Sequence, residues 1–125
     1  MAVTHGTPTR NALVSAVATA IGAGGKLKLR TSANAVLATI ALSSTPLATP
    51  SGGAASLSGL PLSVAASAPG SLTGGNFVVT DSSDVTIFTG SITVTGGGGD
   101  LTVDNVTVTS GQTCTVTGGT YTAPA

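Results

Sequence analysis

The chain has 125 residues and no formal net charge, with 41% hydrophobic and 6% charged residues and a mean hydropathy of +0.48. The hydropathy argues against general disorder, and the length sets a single domain, residues 1–125. Four Lys and Arg balanced by four Asp, with two Phe, one Tyr and no Trp, exclude the basic face and stacking aromatics of a nucleic-acid binder.

A chain of this mass buries roughly 11,000 Å² on folding, enough for a lean core built from Val, Leu, Ile and Ala. One His, one Cys and no Glu leave too thin an inventory for ordinary catalysis, so no enzyme is expected. A single cysteine excludes an intramolecular disulfide. Few charges keep copies of such a chain apart, and its surface tolerates contact with other protein.

In chain order, the segment from Thr7 to Gly22 predicts a helix of about four turns. Thr7 is the candidate cap, Pro8 suits the first turn, and the glycines from Gly22 to Gly25 end it. Leu13, Val14, Val17 and Ile21 form one apolar stripe. Ser15 and Thr19 interrupt the run, so it reads as an amphipathic helix rather than a secretory leader, and it is too short to span a bilayer.

The period then switches from helix to strand. Lys26-Leu27-Lys28-Leu29-Arg30 alternates, placing Leu27 and Leu29 on one face and three cations on the other. A turn at Ser32-Ala33-Asn34-Ala35 leads into Val36 to Leu42, so residues 26–42 form a first hairpin. Residues 43–75 are a Pro- and Gly-rich connection that permits only short extended pieces, of which Leu60 to Ala65 is the best.

Residues 76–123 carry the remaining strands. Asn76 to Thr80 turns through Asp81-Ser82-Ser83-Asp84 into Val85 to Thr95, a second hairpin. The stretch from Gly96 to Asp100 reverses the chain into Leu101 to Val103 and Val106 to Val108, and Ser110 to Thr113 turns into Cys114 to Thr117 and Tyr121. Apolar parity changes at Ile87/Phe88 and at Asp104-Asn105, which predicts bulges or bends there. The expected fold is mainly β: an antiparallel β-sandwich of about 7–8 short strands with one N-terminal amphipathic α-helix.

Motifs that carry chemistry are weak. Gly22-Ala23-Gly24-Gly25-Lys26 lacks the strand before, the helix after and the Ser or Thr of a phosphate loop. Gly96 to Asp100 has its Asp one place early for a calcium-binding nonapeptide and reads as a loop of positive-φ residues. His5 precedes the first helix, and no Gly-x-Ser-x-Gly elbow exists. Cys114, alternating with threonines, reads as a small core residue. Phe77, Phe88 and Tyr121 are the only rings on which a sugar could stack, and two of them are expected in the core. Catalytic residues, cofactors and metal ions are all expected to be none, and no nucleic acid, membrane or small-molecule substrate is expected as a partner.

One ordering stands out: all four cations (Arg10, Lys26, Lys28, Arg30) precede all four anions (Asp81, Asp84, Asp100, Asp104). The favoured account is that the first hairpin meets the Asp-bearing turns within one chain. The alternative is a basic and an acidic patch that mate between molecules.

The opening Met1-Ala2-Val3-Thr4-His5, the helix beginning Arg10-Asn11-Ala12, Lys26-Leu27 with Thr31-Ser32, the Gly-Gly-Asp-Leu stretch around Asp100 and the closing Thr120-Tyr121-Thr122-Ala123-Pro124-Ala125 carry a resemblance. They resemble a family of small tailed-bacteriophage virion structural proteins, capsid decoration or cement-like, some of whose members are labelled tail fibre. Residues 43–75 are not part of the likeness, and its motifs are compositional, so no active residue carries over.

The resemblance implies a virion protein on the capsid surface, made in the bacterial host cytoplasm, with the major capsid protein and copies of itself as partners. In that role the chain binds the outside of the assembled head and stabilises it by many modest contacts. Candidate partner contacts are His5, Arg10, Lys26, Lys28, Arg30, Leu60, Pro61 and Leu62. The alternative role is a tail, neck or fibre component.

Overall fold

In the computed structural model the described residues are 5–58, 60 and 62–122. Helix α1 spans Thr7–Ile21. Gly6, in extended conformation at φ −68 and ψ 160, occupies the cap position without a side-chain bond, so Thr7 begins the helix rather than capping it. Pro8 fits because the first-turn N–H groups have no helical acceptor anyway. Gly22, at φ 63, ends the helix and returns its N–H to the Ala18 carbonyl. Val14 and Ile21 are fully buried, with Leu13, Val17 and Ala18 packed beside them, so the predicted stripe is the buried face.

Among the described residues ten strands follow: β1 (Lys26–Arg30), β2 (Val36–Ala41), β3 (Ala54–Ser56), β4 (Leu62–Ala65), β5 (Gly70–Ser71), β6 (Asn76–Thr80), β7 (Thr86–Val94), β8 (Leu101–Val103), β9 (Thr107–Val108) and β10 (Thr113–Thr122). Eight form one sheet in the order β2-β1-β6-β7-β8-β10-β3, with β4 also paired to β10, while β5 and β9 pair separately. The sheet curls far enough that β2 approaches β4 from the opposite end, and Ser67 N–H donates to the Leu37 carbonyl at 2.8 Å.

The chain is therefore mainly β with one N-terminal helix, but its strands build a curled mixed sheet in place of the expected all-antiparallel arrangement. The departure is β8, which runs parallel to β7, with Ile92 opposite Leu101 and Val94 opposite Val103. Parallel neighbours ordinarily need a crossover of a dozen or more residues. Here a few glycines suffice, because Gly97 and Gly99 fold back against Thr93 where a Cβ would come within 2.8 Å of its side chain. The stretch from Gly96 to Asp100 thus reverses the chain twice, not once.

The inner face of the curl holds Leu27, Leu29, Phe77, Val79, Leu101, Val103 and Val116, all at most 4% exposed, with Val14 and Ile21 supplied by the helix. Each such side chain contributes about 1.5–3 kcal/mol of burial free energy. The bulge expected near Ile87 is present, since Val79 pairs Phe88 and Thr80 pairs Thr86. At Asp104-Asn105 the strand breaks outright between β8 and β9.

The two hairpins are copies of one design, each residue of the second lying 50 positions after its counterpart (Lys26 and Asn76, Asn34 and Asp84). Thr31 and Asp81 N–H groups bond to the Ala35 and Val85 carbonyls, and Asn34 and Asp84 N–H groups bond back to the Thr31 and Asp81 carbonyls. Among the described residues, Asn34 and Asp84 are the two non-glycine residues with positive φ, at 67 and 64. Leu42 N–H donates to the Gly25 carbonyl and Ile92 N–H to that of Gly75. β1 and β6 pair antiparallel about Lys28 and Val78, which gives the double hairpin an approximate two-fold axis.

Candidate functional site

Six of the sequence-predicted contacts, Arg10, Lys26, Lys28, Arg30, Leu60 and Leu62, are engaged within the chain. Lys26 and Lys28, on the outer face of β1, both reach Asp84 Oδ1, at 2.9 and 3.2 Å. These two ammonium groups hold the Asp84 carboxyl below its ordinary value. Arg30 Nε donates to Asn76 Oδ1 at 2.6 Å, and Asn76 Nδ2 donates to Asn34 Oδ1 at 2.8 Å. The favoured account of the charge order accordingly holds for Lys26, Lys28 and Asp84: antiparallel pairing of β1 with β6 lays the first hairpin's cations beside the second hairpin's turn.

Arg10 lies elsewhere, over the backbone of Gly53, where a Cβ would come within 2.7 Å of its guanidinium carbon. Its neighbour Asn11 accepts a bond from Gly53 N–H at 2.8 Å, so the first turns of α1 clasp the loop before β3. His5 is half-buried at the start of the described chain. Leu60 and Leu62 are half-buried and packed against the core, and Leu62 pairs with Val116 in β4; Pro61 lies outside the described residues. The predicted contacts do form a row of cations on β1, but Arg10, Leu60 and Leu62 serve packing inside the chain.

Sequence reasoning missed a cluster formed by all three aromatic residues. Phe77 from β6 and Phe88 from β7 meet edge to face at 5.9 Å between ring centres, and Phe88 meets Tyr121 from β10 at 4.9 Å. Phe77 is buried, while Phe88 and Tyr121 are half-buried. They floor a cavity of about 230 Å³, rimmed by Thr89, Asp100, Thr120 and Thr122. Gly90 makes this possible, because a Cβ there would come within 2.5 Å of the Phe77 ring and 3.0 Å of Asp100 Oδ2.

Asp100 holds the upper end of the cavity. Its Oδ2 accepts from Ser91 N–H and Ser91 Oγ–H, each at 3.2 Å. The cross-strand pairing of Val79 with Phe88 was latent in the hairpin alternation. Nothing local to Tyr121 places it beside Phe88, because that contact depends on where β10 joins the sheet.

Cys114 is buried in β10 beside Val64, and burial together with the Asp104 carboxylate pushes its thiol up. That environment suits a packing role. Among the described residues no group of three His, Cys, Asp or Glu side chains could hold a metal ion. No described helix is long and apolar enough to cross a membrane. Comparisons with known protein families, curated proteins and solved structures return no match.

Proposed function

We propose that this chain is a structural protein of a tailed-bacteriophage virion, a decoration or cement protein that binds the outside of the assembled head. The observation that supports this reading is a surface suited to uncharged contact along β2, an end strand whose outer side is only partly covered. β2 ends the sheet; Ser67 N–H donates to its Leu37 carbonyl, and among the described residues no strand pairs with the rest of its outer side. Thr39 and Ala41 on that strand are exposed. Lys26, Lys28 and Arg30 are occupied within the chain, which moves docking from charge pairing to backbone and apolar contact. Val36, at the start of β2, is 39% exposed, while Val85 and Val94, at 57% and 47% exposure, are exposed apolar side chains on other parts of the chain.

The partners in this reading are the major capsid protein and further copies of the chain. A protein that binds the assembled shell better than free subunits stabilises the shell, and many copies multiply a modest contact. The test is the number of copies per purified particle, measured by quantitative mass spectrometry against the major shell protein. Hundreds of copies support the head assignment. A few copies move the protein to the neck, tail or fibre, and absence from particles overturns the virion reading.

A further inference from the structure

The sheet is interrupted between β7 and β10. Both strands flank β8, so they stand two strand spacings apart, roughly 9.6 Å. β8 begins only at Leu101. Asp100 makes the last rung on both sides: its carbonyl accepts from Thr120 N–H at 3.3 Å, and its carboxylate accepts from Ser91 N–H. Just before it the chain leaves the sheet, with Gly99 N–H bonded to Thr93 Oγ1 at 2.9 Å.

Beyond Asp100, the earlier residues of β7 and the last residues of β10 therefore face each other across an interval one strand wide. Backbone groups alternate sides along a strand. Because Ser91 N–H turns toward the interval, so does Thr89 N–H; because Thr120 N–H does, so does Thr122 N–H. Among the described residues no strand pairs with β7 on that side before Ile92. The 230 Å³ cavity occupies this interval, with Phe88 and Tyr121 beneath it and Thr89, Thr120 and Thr122 along its rim.

We infer that the interval is a strand-acceptor slot that takes a short, extended, uncharged peptide segment from another chain. The segment lies in line with β8, parallel to β7 and antiparallel to β10, because the rung at Asp100 already sets that phase. Three residues on each wall give room for three or four residues, about 10 Å of strand. Alternate side chains of the segment meet different surroundings: those turned inward pack on Phe88 and Tyr121, and those turned outward meet threonine hydroxyls. A saccharide could use the rings and the carboxylate, but its hydroxyls carry no strand repeat to match the alternating backbone groups of both walls. Backbone pairing on two walls favours a peptide. The inference goes beyond the virion reading and does not depend on it.

The probe is the peptide acetyl-Thr-Val-Thr-Val-Thr-amide, titrated into the full chain. Tyr121 is the only tyrosine and there is no tryptophan, so intrinsic fluorescence reports on the slot alone. Saturable fluorescence change together with slowed amide exchange at Thr89 and Thr122 is the expected result. T89P removes an N–H that faces the slot and not the β6 ladder; it should melt near the parent and bind the peptide about tenfold more weakly or worse.

Exchange on the unaltered chain decides the matter if T89P does not fold. Protection that rises with protein concentration in the absence of peptide names a second copy as donor and supports the slot. Four outcomes overturn it: unchanged exchange at both amides in millimolar peptide, equal binding by a folded T89P, protection at every concentration without peptide, or a response to cellohexaose without amide protection.

Discussion

Gly75→Ala tests the junction on which the double hairpin depends. A Cβ at Gly75 would lie 2.3 Å from the Arg30 carbonyl oxygen and 2.9 Å from that of Leu72, where ordinary contact begins at 3.4 Å. Both neighbours are backbone atoms, so no rotamer relieves the overlap, and β1 and β6 must separate by about 1 Å at the rung joining Arg30 to Asn76. Overpacking of 1–3 kcal/mol with about 1 kcal/mol for a weakened ladder bond gives about 3 kcal/mol in all. For a chain of this length that lowers the melting temperature by about 10 °C.

The matched control is Gly74→Ala. Gly74 has φ +67 and open space around its Cβ position, so only the left-handed conformation is penalised, at about 1 kcal/mol or about 3 °C. Thermal unfolding followed by circular dichroism measures both. If G75A loses no more than G74A, the close approach of β1 and β6 and the symmetry built on it are wrong.

Two other outcomes follow from packing and charge. Val14 is 0% exposed in the middle of α1, whereas Val17 is half-buried. Val14→Asp should abolish soluble, cooperatively folding protein by burying an unpaired carboxylate at a cost of several kcal/mol, and V17D should be milder; a normal V14D melt would remove α1 from the core. Lys26 and Lys28 hold the Asp84 carboxyl below the ordinary 3.8, so their contribution is complete above that value and fades as pH falls through the lower folded value. Asp84→Asn should therefore lower the melting temperature slightly at pH 7 and low salt. The gap to the parent should close both on acidification below 3.8 and in about 1 M salt, and equal melting at pH 7 and low salt would show that the pair contributes nothing.

Much of the local structure is legible in the residues themselves. The stripe of Leu13, Val14, Val17 and Ile21 identifies the buried face of α1, and Asn34 takes the positive φ that its turn needs. The parity change at Ile87 marks a true bulge. The 50-residue echo is also present, in Gly24-Gly25 against Gly74-Gly75 and in the phase of Asn34 against Asp84, but few identical residues carry it. Thr31 and Asp81 do the same work with different side chains, each accepting from the backbone two and four residues on. A search for repeated letters passes over a repeated hydrogen-bond pattern.

By itself, the sequence determined the helix, the two hairpins and the lean aliphatic core, because apolar periodicity and turn chemistry act over a few residues. Tertiary structure alone decided that β8 runs parallel to β7, that β10 serves β8, β4 and β3 at once, and that three rings from separate strands surround one slot. Those choices depend on which edges remain unpaired after the hairpins form. Strands with nearly the same Thr and Val alternation have no local preference among partners, so their pairing is settled only when the whole sheet curls around Val14, Leu27 and Phe77.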